Sequence, residues 1–306
     1  MGLVSIGIVN WNTRDHLKQC LESIRRNAPQ VRDVVVVDNA SSDGSADMVR
    51  REFPWVRLIA NESNLGYAAG NNQVVAAARG SLILLLNPDT RVTAGAVEAL
   101  VACMERHERA GAVAPRLIYP DGRLQRSCRS FPTPDTVLFD ALFLSRLFHR
   151  SRTFGKYRMS WWDYDDERQV EQPMASALLL RRQAFEEAGG FDERFPIFFN
   201  DVDLCKRLWD AGWEIWFTPE AEIVHAHGAS TALLGYRLPI ESFVGFVRFY
   251  RKHYWGKINP LAYWGAIALA GLSVAVRAPV AALRAKACLR QKPEAIERTG
   301  RRRTEA

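Results

Sequence analysis

The sequence predicts an α/β protein built on a doubly wound, mostly parallel sheet flanked by helices. Three observations carry this expectation. Through the first half of the chain, β-branched runs alternate with helical stretches, the pattern of strand and crossover-helix units. Two runs, VVVV at 34–37 and LILLL at 82–86, are apolar on both faces, as parallel strands between two helix layers have to be. Finally, 306 residues with 48% hydrophobic and 25% charged positions suit one large core with an appendage, and exclude disorder, collagen and a disulfide miniprotein.

Taken in order, strands are expected at 3–9, 33–37, 56–60 and 81–86, with helices at 14–27, 45–53 and 67–79 between them. A helix at 93–108 follows. From 119 to 172 prolines and turn residues multiply, around three arginines at spacing three (Arg123, Arg126, Arg129) and a helix at 134–149. A β segment at 176–181 leads into 182–188, Gly189 and Gly190 stop it, and a helix from about 201 to 211 comes next. A sheet of this kind places its ligand crevice at the carboxyl ends of the strands.

Charge and cysteine usage narrow the class. The net charge of +7 is concentrated in residues 277–306, which hold nine basic and three acidic side chains, so the body is nearly neutral. A nucleic-acid reader carries its basic surface on the folded module, so no nucleic-acid partner is expected. Five cysteines without a C-x-x-C pair suit a reducing compartment. The apolar run at 3–9 lacks the basic flank and cleavage site of a signal peptide, which predicts residence on the cytosolic side. Near the other end, Tyr250, Tyr254, Trp255, Tyr263 and Trp264 border an uncharged run, 261–276, that is shorter than the about 20 residues a spanning helix needs. Aromatics at one edge and cations at the other suit a segment lying in a membrane interface, the tail gaining about 1 kcal/mol per basic residue from anionic lipid. A helix packed on the body with a solvated basic end, or a span, are the alternatives.

Several polar residues sit where chemistry would be done. Asp38 ends the second strand and is placed to accept from a ribose hydroxyl or a base N–H, or else to cap a turn. No G-x-G-x-x-G loop follows strand one, where Asn10-Trp11-Asn12-Thr13 stands, so a dehydrogenase is disfavoured. Asn64, Gly66, Gly70 and Asn71 open a helix whose free N–H groups suit a diphosphate; close helix packing would explain the glycines equally well. Asp89, fixed by Pro88 at a strand tip, suits a divalent cation shared with a diphosphate, or caps the next helix. Asp201 and Asp203 open a helix after an aromatic run, and a carboxylate beside aromatics gains proton affinity and can serve as a general base. Asn200 reads as that helix's N-cap. His225 and His227 share one strand face, as metal ligands or as structural histidines.

In that order the pieces resemble the bacterial family-2 glycosyltransferases of GT-A fold, and among them the rhamnosyltransferase-like branch of cell-envelope polysaccharide synthesis. The matching residues are Val9-Asn10-Trp11-Asn12, Val37-Asp38-Asn39, Ser41-Ser42-Asp43-Gly44-Ser45, Asn64-Leu65-Gly66-Tyr67, Gly70-Asn71-Asn72 and Asn87-Pro88-Asp89. They continue with Gly189-Gly190-Phe191-Asp192-Glu193, Asn200-Asp201-Val202-Asp203-Leu204-Cys205 with Arg207, and His225 through Ser230, covering residues 3 to about 232. The resemblance implies a GT-A domain over 1–232, with a nucleotide-sugar half at about 1–115 and an acceptor half at about 116–232. Residues 233–306 would form a helical, aromatic and basic membrane-associating extension.

It also implies inverting transfer of a sugar, rhamnose in this branch, from a nucleotide-diphospho-sugar to a lipid-linked or cell-envelope glycan acceptor, at the cytoplasmic face of the inner membrane as a peripheral protein. A catalytically silent binding homologue is the alternative. Asp201 would be the base, and Asn10, Asp38, Asn64, Gly66, Asn71 and Asp89 would line the nucleotide-sugar site. Asp89 and His225, rather than His227, would hold Mg2+ or Mn2+, and Asp203 would meet the acceptor. Independently of the resemblance, the spacing of Arg123, Arg126 and Arg129 suits a phosphate of a lipid-linked acceptor, Arg126 and Arg129 foremost, or else a solvated basic loop. Two departures stand out. Asn200-Asp201 replaces the usual Glu-Asp pair, changing the neighbour that tunes Asp201, and Asn87-Pro88-Asp89 replaces the Asp-x-Asp metal motif.

Overall fold

The computed structural model describes residues 3–195, 197–226 and 238–275. His227 and the basic tail therefore lie outside the described residues, as does the expected boundary at 232. The chain divides into two compact units, Met1–Ser230 and Thr231–Ala306.

The first unit is built on a ten-stranded sheet of order β3-β2-β1-β4-β11-β6-β12-β5, with β7 beside β6 and β9 beside β12. Strands β1 (Val4–Asn10), β2 (Asp33–Asp38), β3 (Arg57–Ala60) and β4 (Leu82–Leu86) are mutually parallel, joined by helices α1 (Arg14–Asn27), α2 (Ser45–Glu52) and α3 (Gly66–Ala77). Every residue of β2 and β4 is buried, which is why their sequences carry no polar alternation. Helix α1 turns Leu17, Cys20, Leu21 and Ile24 to the core at helical spacing, with Asp15 in its first turn and Arg25 and Arg26 in its last, the order that the helix dipole favours. Helix α3 lies close to β1 because two glycines make room. A Cβ on Gly7 would meet Val74 Cγ1 at 2.0 Å, and one on Gly70 would meet Val9 Cγ1 at 2.7 Å. The packing explanation for Gly70 therefore holds.

Beyond β4 the parallel rule breaks. Strand β11 (Ala177–Arg181) runs antiparallel to both β4 and β6 (Ala110–Ile118), while β6 and β12 (Glu214–His225) are parallel and β5 (Thr90–Val92) is antiparallel to β12. Residues 119–176 are thus a long excursion between two neighbouring antiparallel strands, standing at the carboxyl edge of β4. Within it are only two-residue strands, β7 (Leu124–Gln125), β8 (Cys128–Arg129), β9 (Arg168–Gln169) and β10 (Gln172–Pro173), and two short helices, α5 (Pro134–Ala141) and α6 (Leu144–Leu147). The single helix expected over 134–149 is broken at Phe143, whose φ of 58° no helix accepts.

Two further expectations change. The helix placed at 93 starts three residues later, as α4 (Ala96–Arg106), because the chain first forms β5. Strand β6 was not expected: it is built from small residues and a proline, AGAVAPRLI, and Gly111 leaves the space that Trp213 and Ala184 fill. Helix α7 (Arg182–Glu187) and helix α8 (Asn200–Asp210) complete the unit.

In the second unit, α9 (Leu238–His253) buries Phe246, Phe249 and Tyr250. Residues 260–275 are helical, and Tyr263 packs edge-on against Trp255 and Trp264 at 5.1 and 5.3 Å. No helix among the described residues is long and apolar enough to cross a membrane.

Candidate active site

The parallel ladder brings the first polar group together. Asn10 and Asp38 face each other in the β1–β2 register at the carboxyl ends of their strands. Asn10 Nδ2 donates to Asp38 Oδ1 at 2.8 Å, Ser41 N–H donates to Asp38 Oδ2 at 2.9 Å, and Thr13 Oγ1 donates to Asn10 Oδ1 at 2.7 Å. The turn function of Asp38 is therefore real, and it orients the carboxylate rather than consuming it, since each oxygen keeps a second lone pair. Positive φ at Asn12 (51°) and Ala40 (56°) bends both loops at this edge. Asn39 Nδ2 donates to Gly66 O at 3.1 Å, and Asn64 Oδ1 takes the Gly66 N–H at 2.9 Å, so the start of α3 is tied to the same corner. Gly66 needs its glycine, with φ at 85°. Asn71 is buried and donates to Tyr67 O at 2.9 Å, which fixes it on its own helix.

At the tip of β4 the antiparallel pairing of β5 with β12 sets Thr90 opposite His225, and Ala226 N–H donates to Asp89 O at 2.9 Å. That register delivers the His225 imidazole to the Asp89 carboxylate, with Nε2 3.3 Å from Oδ1 and both side chains buried. Gln125 Oε1 lies 2.8 Å from Nδ1 and suits the Nδ1–H tautomer, which leaves the Nε2 lone pair toward Asp89. A carboxylate oxygen beside an imidazole nitrogen is a donor set that a divalent cation satisfies. Close by, Asn87 N–H donates to Ser176 O at 2.8 Å, and both Asn87 Oδ1 and Ser176 Oγ are buried without a hydrogen-bond partner. Orphaned buried atoms beside Asp89 are the kind of unsatisfied polar group that a bound cation or hydroxyl satisfies. The Asp89 helix-cap reading does not hold, since α4 begins seven residues later.

The third element enters from α8. Phe199 takes a left-handed conformation, φ 66°, and serves as the N-terminal cap residue in place of Asn200, which instead starts the helix and donates from Nδ2 to Ile197 O at 2.9 Å. A bulky residue held there stores strain that the surroundings have to compensate. The turn presents Asp201, whose Oδ1 takes its neighbour's Val202 N–H at 2.9 Å and whose Oδ2 lies 3.4 Å from Ala175 N. Burial raises the Asp201 proton affinity against the pull of those two amides. Tyr67 reaches the same backbone stretch as Asp201. Its hydroxyl donates to Ala175 O at 2.8 Å, and its own pKa is pushed up by burial first and then by the charges of Asp201 and Asp89. Tyr67, Ala175 and Gln125 were not singled out from the sequence as site residues. Tyr67 stands inside a quoted motif, whereas the other two have no local signal.

Other expected residues are placed differently. Asp203 is fully buried, with Arg207 Nε donating to it at 2.9 Å, and Arg207 also holds Ala188 O; this carboxylate braces the Gly189 turn and has no surface to offer an acceptor. The three spaced arginines diverge. Arg123 forms an exposed pair with Asp121, and Arg126 donates to Trp162 O at 2.6 Å with its guanidinium over Tyr164. Arg129 alone acts on Asp201, its charge favouring the ionised carboxylate, while it stacks over Tyr157. A single phosphate site shared by all three is therefore not formed. Away from the cleft, Cys103, His107 and Glu167 bring their ligand atoms within 4.8 Å of one another. Arg106 occupies Glu167, however, and burial together with the Glu167 charge pushes the Cys103 thiol up to about 12, so that group is closed on itself.

The family follows from comparison. A family model described as "Glycosyl transferase family 2" matches residues 5–169. The chain belongs to that family. The N-acetylglucosaminyl-diphospho-decaprenol L-rhamnosyltransferase of Mycobacterium tuberculosis is 32% identical over 235 residues, covering 73% of this chain and 76% of that one, and the resemblance to the rhamnosyltransferase-like branch holds. Among solved structures, GalNAc-T7 with UDP, GalNAc and Mn2+ superposes with a TM-score of 0.59 at 15% identity, covering 84% of this chain and 49% of that one. The mannosyltransferase PcManGT of Pyrobaculum calidifontis, in complex with GDP-Man and Mn2+, gives 0.56 at 18% identity over 98% of this chain and 79% of that one. This glycosyltransferase has the GT-A fold, with its mixed, mostly parallel sheet.

Proposed function

We propose that this glycosyltransferase moves a sugar, rhamnose by its kinship with the mycobacterial relative, from a nucleotide-diphospho-sugar to a hydroxyl of a lipid-linked glycan acceptor with inversion. The observation that carries the reading is a run of contacts at one strand edge: Tyr67 and Asp201 both meet Ala175, the adjacent Ser176 meets Asn87, and Asp89 meets His225, on the sheet whose β1 and β2 ends bear Asn10 and Asp38. Asp38, held by Asn10 and Ser41, accepts from the nucleoside. Asp89 and His225 would hold Mg2+ or Mn2+, which would supply Lewis-acid neutralisation of the leaving diphosphate. Asp201 takes the proton of the attacking acceptor hydroxyl, and its raised proton affinity suits that task. The Arg129 charge opposes that rise in part, the smallest of the influences on the carboxylate.

We assign residues 1–115 to the donor and 116–232 to the acceptor. The second unit meets the cytoplasmic face of the inner membrane peripherally, a reading supported by exposed Trp255, Leu261, Trp264 and Leu272.

Thermal stabilisation of the full chain by a panel of nucleotide-sugars, with and without Mn2+, tests the reading, because a ligand that binds only the folded state raises Tm, and does so more the tighter it binds. One nucleotide-sugar, dTDP-rhamnose foremost, should raise Tm by several degrees in a cation-dependent manner. A panel that leaves Tm unmoved overturns the proposal.

A further inference from the structure

The apolar surface of the first unit is concentrated in one place. Leu138, Leu142, Phe143, Leu147 and Phe148, all within eleven residues of α5 and α6, are between 41% and 71% exposed. Scattered exposed leucines are ordinary on a protein surface, but five large side chains on one short helical pair form a patch. The break at Phe143 helps to create it. A left-handed aromatic residue between the helices is costly, and with it α5 stops at Ala141, leaving Leu142 and Phe143 among the most exposed apolar side chains of the unit.

Charge decides what the patch fits. Exposed Arg146, Arg150 and Arg152 stand among or directly after the apolar residues, and His149 lies between them. The acids of the same segment are already neutralised: Asp135 pairs with Lys156 at 3.6 Å, and Asp140 pairs with Arg158 at 3.3 Å while accepting from Ser145. Arg146 and Arg152 lie over the rings of Phe143 and Trp161 at 5.4 and 5.0 Å, the side-by-side arrangement of cation and aromatic that an interface accommodates. An apolar face rimmed by unopposed cations is complementary to an anionic lipid surface, whose headgroups meet the guanidinium groups while the acyl boundary takes the side chains.

The patch also stands at a telling point of the chain. The excursion that carries it is closed at its base by Ser130 N–H donating to Tyr157 O at 3.0 Å, next to Arg129, the arginine whose charge acts on Asp201. We propose that α5 and α6 dock the first unit on an anionic membrane surface, separately from the aromatic and basic second unit, and so bring the acceptor side of the cleft to the bilayer. The docking rests on this surface and not on the identity of either substrate, so donor-induced stabilisation and lipid partition fail or succeed independently.

The experiment is sedimentation of the whole 306-residue chain with vesicles of phosphatidylcholine alone or with about 30 mol% phosphatidylglycerol, which gives the vesicle a negative surface potential. Two variants are compared with the parent, Leu142→Ser/Phe143→Ser/Leu147→Ser and Arg146→Gln/Arg150→Gln/Arg152→Gln. All of these side chains are exposed, so Tm should hold, and Tm is measured alongside. The expected result is a partition to anionic vesicles at least about tenfold weaker for each variant, with the arginine variant losing part of its preference for phosphatidylglycerol and the basic tail keeping the rest. Partition equal to the parent's in both variants, or no vesicle binding by the parent, overturns the proposal. So does a change in oligomeric state of the apolar variant with lipid binding intact, which would make the patch a contact between copies.

Discussion

Residues 3–92 and residues 119–199 each hold polar side chains still at the edge of one cleft, and they do so by different means. In the first, Asn10, Asp38 and Asp89 stand at the ends of strands whose register is fixed along their whole length, and a side chain there inherits the rigidity of the ladder. In the second, no strand before β11 exceeds two residues. Position comes instead from isolated contacts: Trp162 stacked on Tyr164 at 4.0 Å, both edge-on to Phe217, the Tyr164 hydroxyl taking Cys128 N–H at 2.8 Å, and Arg126 bonded to Trp162 O. A region held by a ladder fails as a whole, whereas one held by separate contacts fails a contact at a time. Damage to the first should therefore cost global stability, and damage to the second should cost geometry.

The largest expected effect is on chemistry alone. Asp201→Asn should lower kcat by about 10³-fold while donor binding persists, since a positioned base contributes roughly 10² to 10⁴. The same substitution should leave Tm at pH 7 unchanged or slightly higher. Burial raises the Asp201 pKa, so its contribution to stability is complete below the unfolded value of 3.8 and is lost as pH rises through the folded pKa. At neutral pH the buried charge is a cost that asparagine removes. In the parent enzyme the acid limb of the rate profile should accordingly lie above that of an ordinary aspartate. A variant that retains full transfer would mean that the base is elsewhere.

Next, Gly7→Ala should destabilise the whole first unit by about 3 kcal/mol in urea titration, since its Cβ would overlap Val74 and helix α3 would have to move off β1. A purely local effect, with activity lost and stability kept, would break the contrast drawn above. His225→Gln should weaken Mn2+ binding by roughly 10- to 100-fold with little change in Tm, read by metal titration of the nucleotide-sugar complex. The smallest effect belongs to the acceptor side. Tyr164→Phe removes the hydroxyl that meets Cys128 N–H and should cost about 1 to 2 kcal/mol, with acceptor KM rising more than donor KM.

The legibility of the molecule follows the same division. Strands β1, β2 and β4 were readable because burial on both faces leaves only apolar residues, and Asp38 and Asp89 because each interrupts such a run. Strand β6 was not, for its neighbours demand small side chains and erase the β-branched signal. Asp201 was legible through the aromatic wall before it. Its cap was misread because Phe199, a residue that propensity places in strands, takes the left-handed turn that Asn200 would accept more easily. Asp203 shares the helix with Asp201 but faces the other way, toward Arg207, and a two-residue offset on a helix is enough to send one acid to the cleft and the next into the interior. The arginines at spacing three looked like one patch, yet the chain turns between short strands and each finds a different aromatic partner.

The antiparallel entry of β11 between β4 and β6 has an evolutionary consequence. Residues 119–176 leave at β6 and return at β11 on adjacent strands, so changes within them spare the β1–β2 and β1–β4 pairing and the Asn10–Asp38 corner, but they reach His225 through Gln125 and Asp201 through Ala175. A lineage that remodels this segment therefore alters the supports of Asp201 and His225 together, while Asn10 and Asp38 keep theirs.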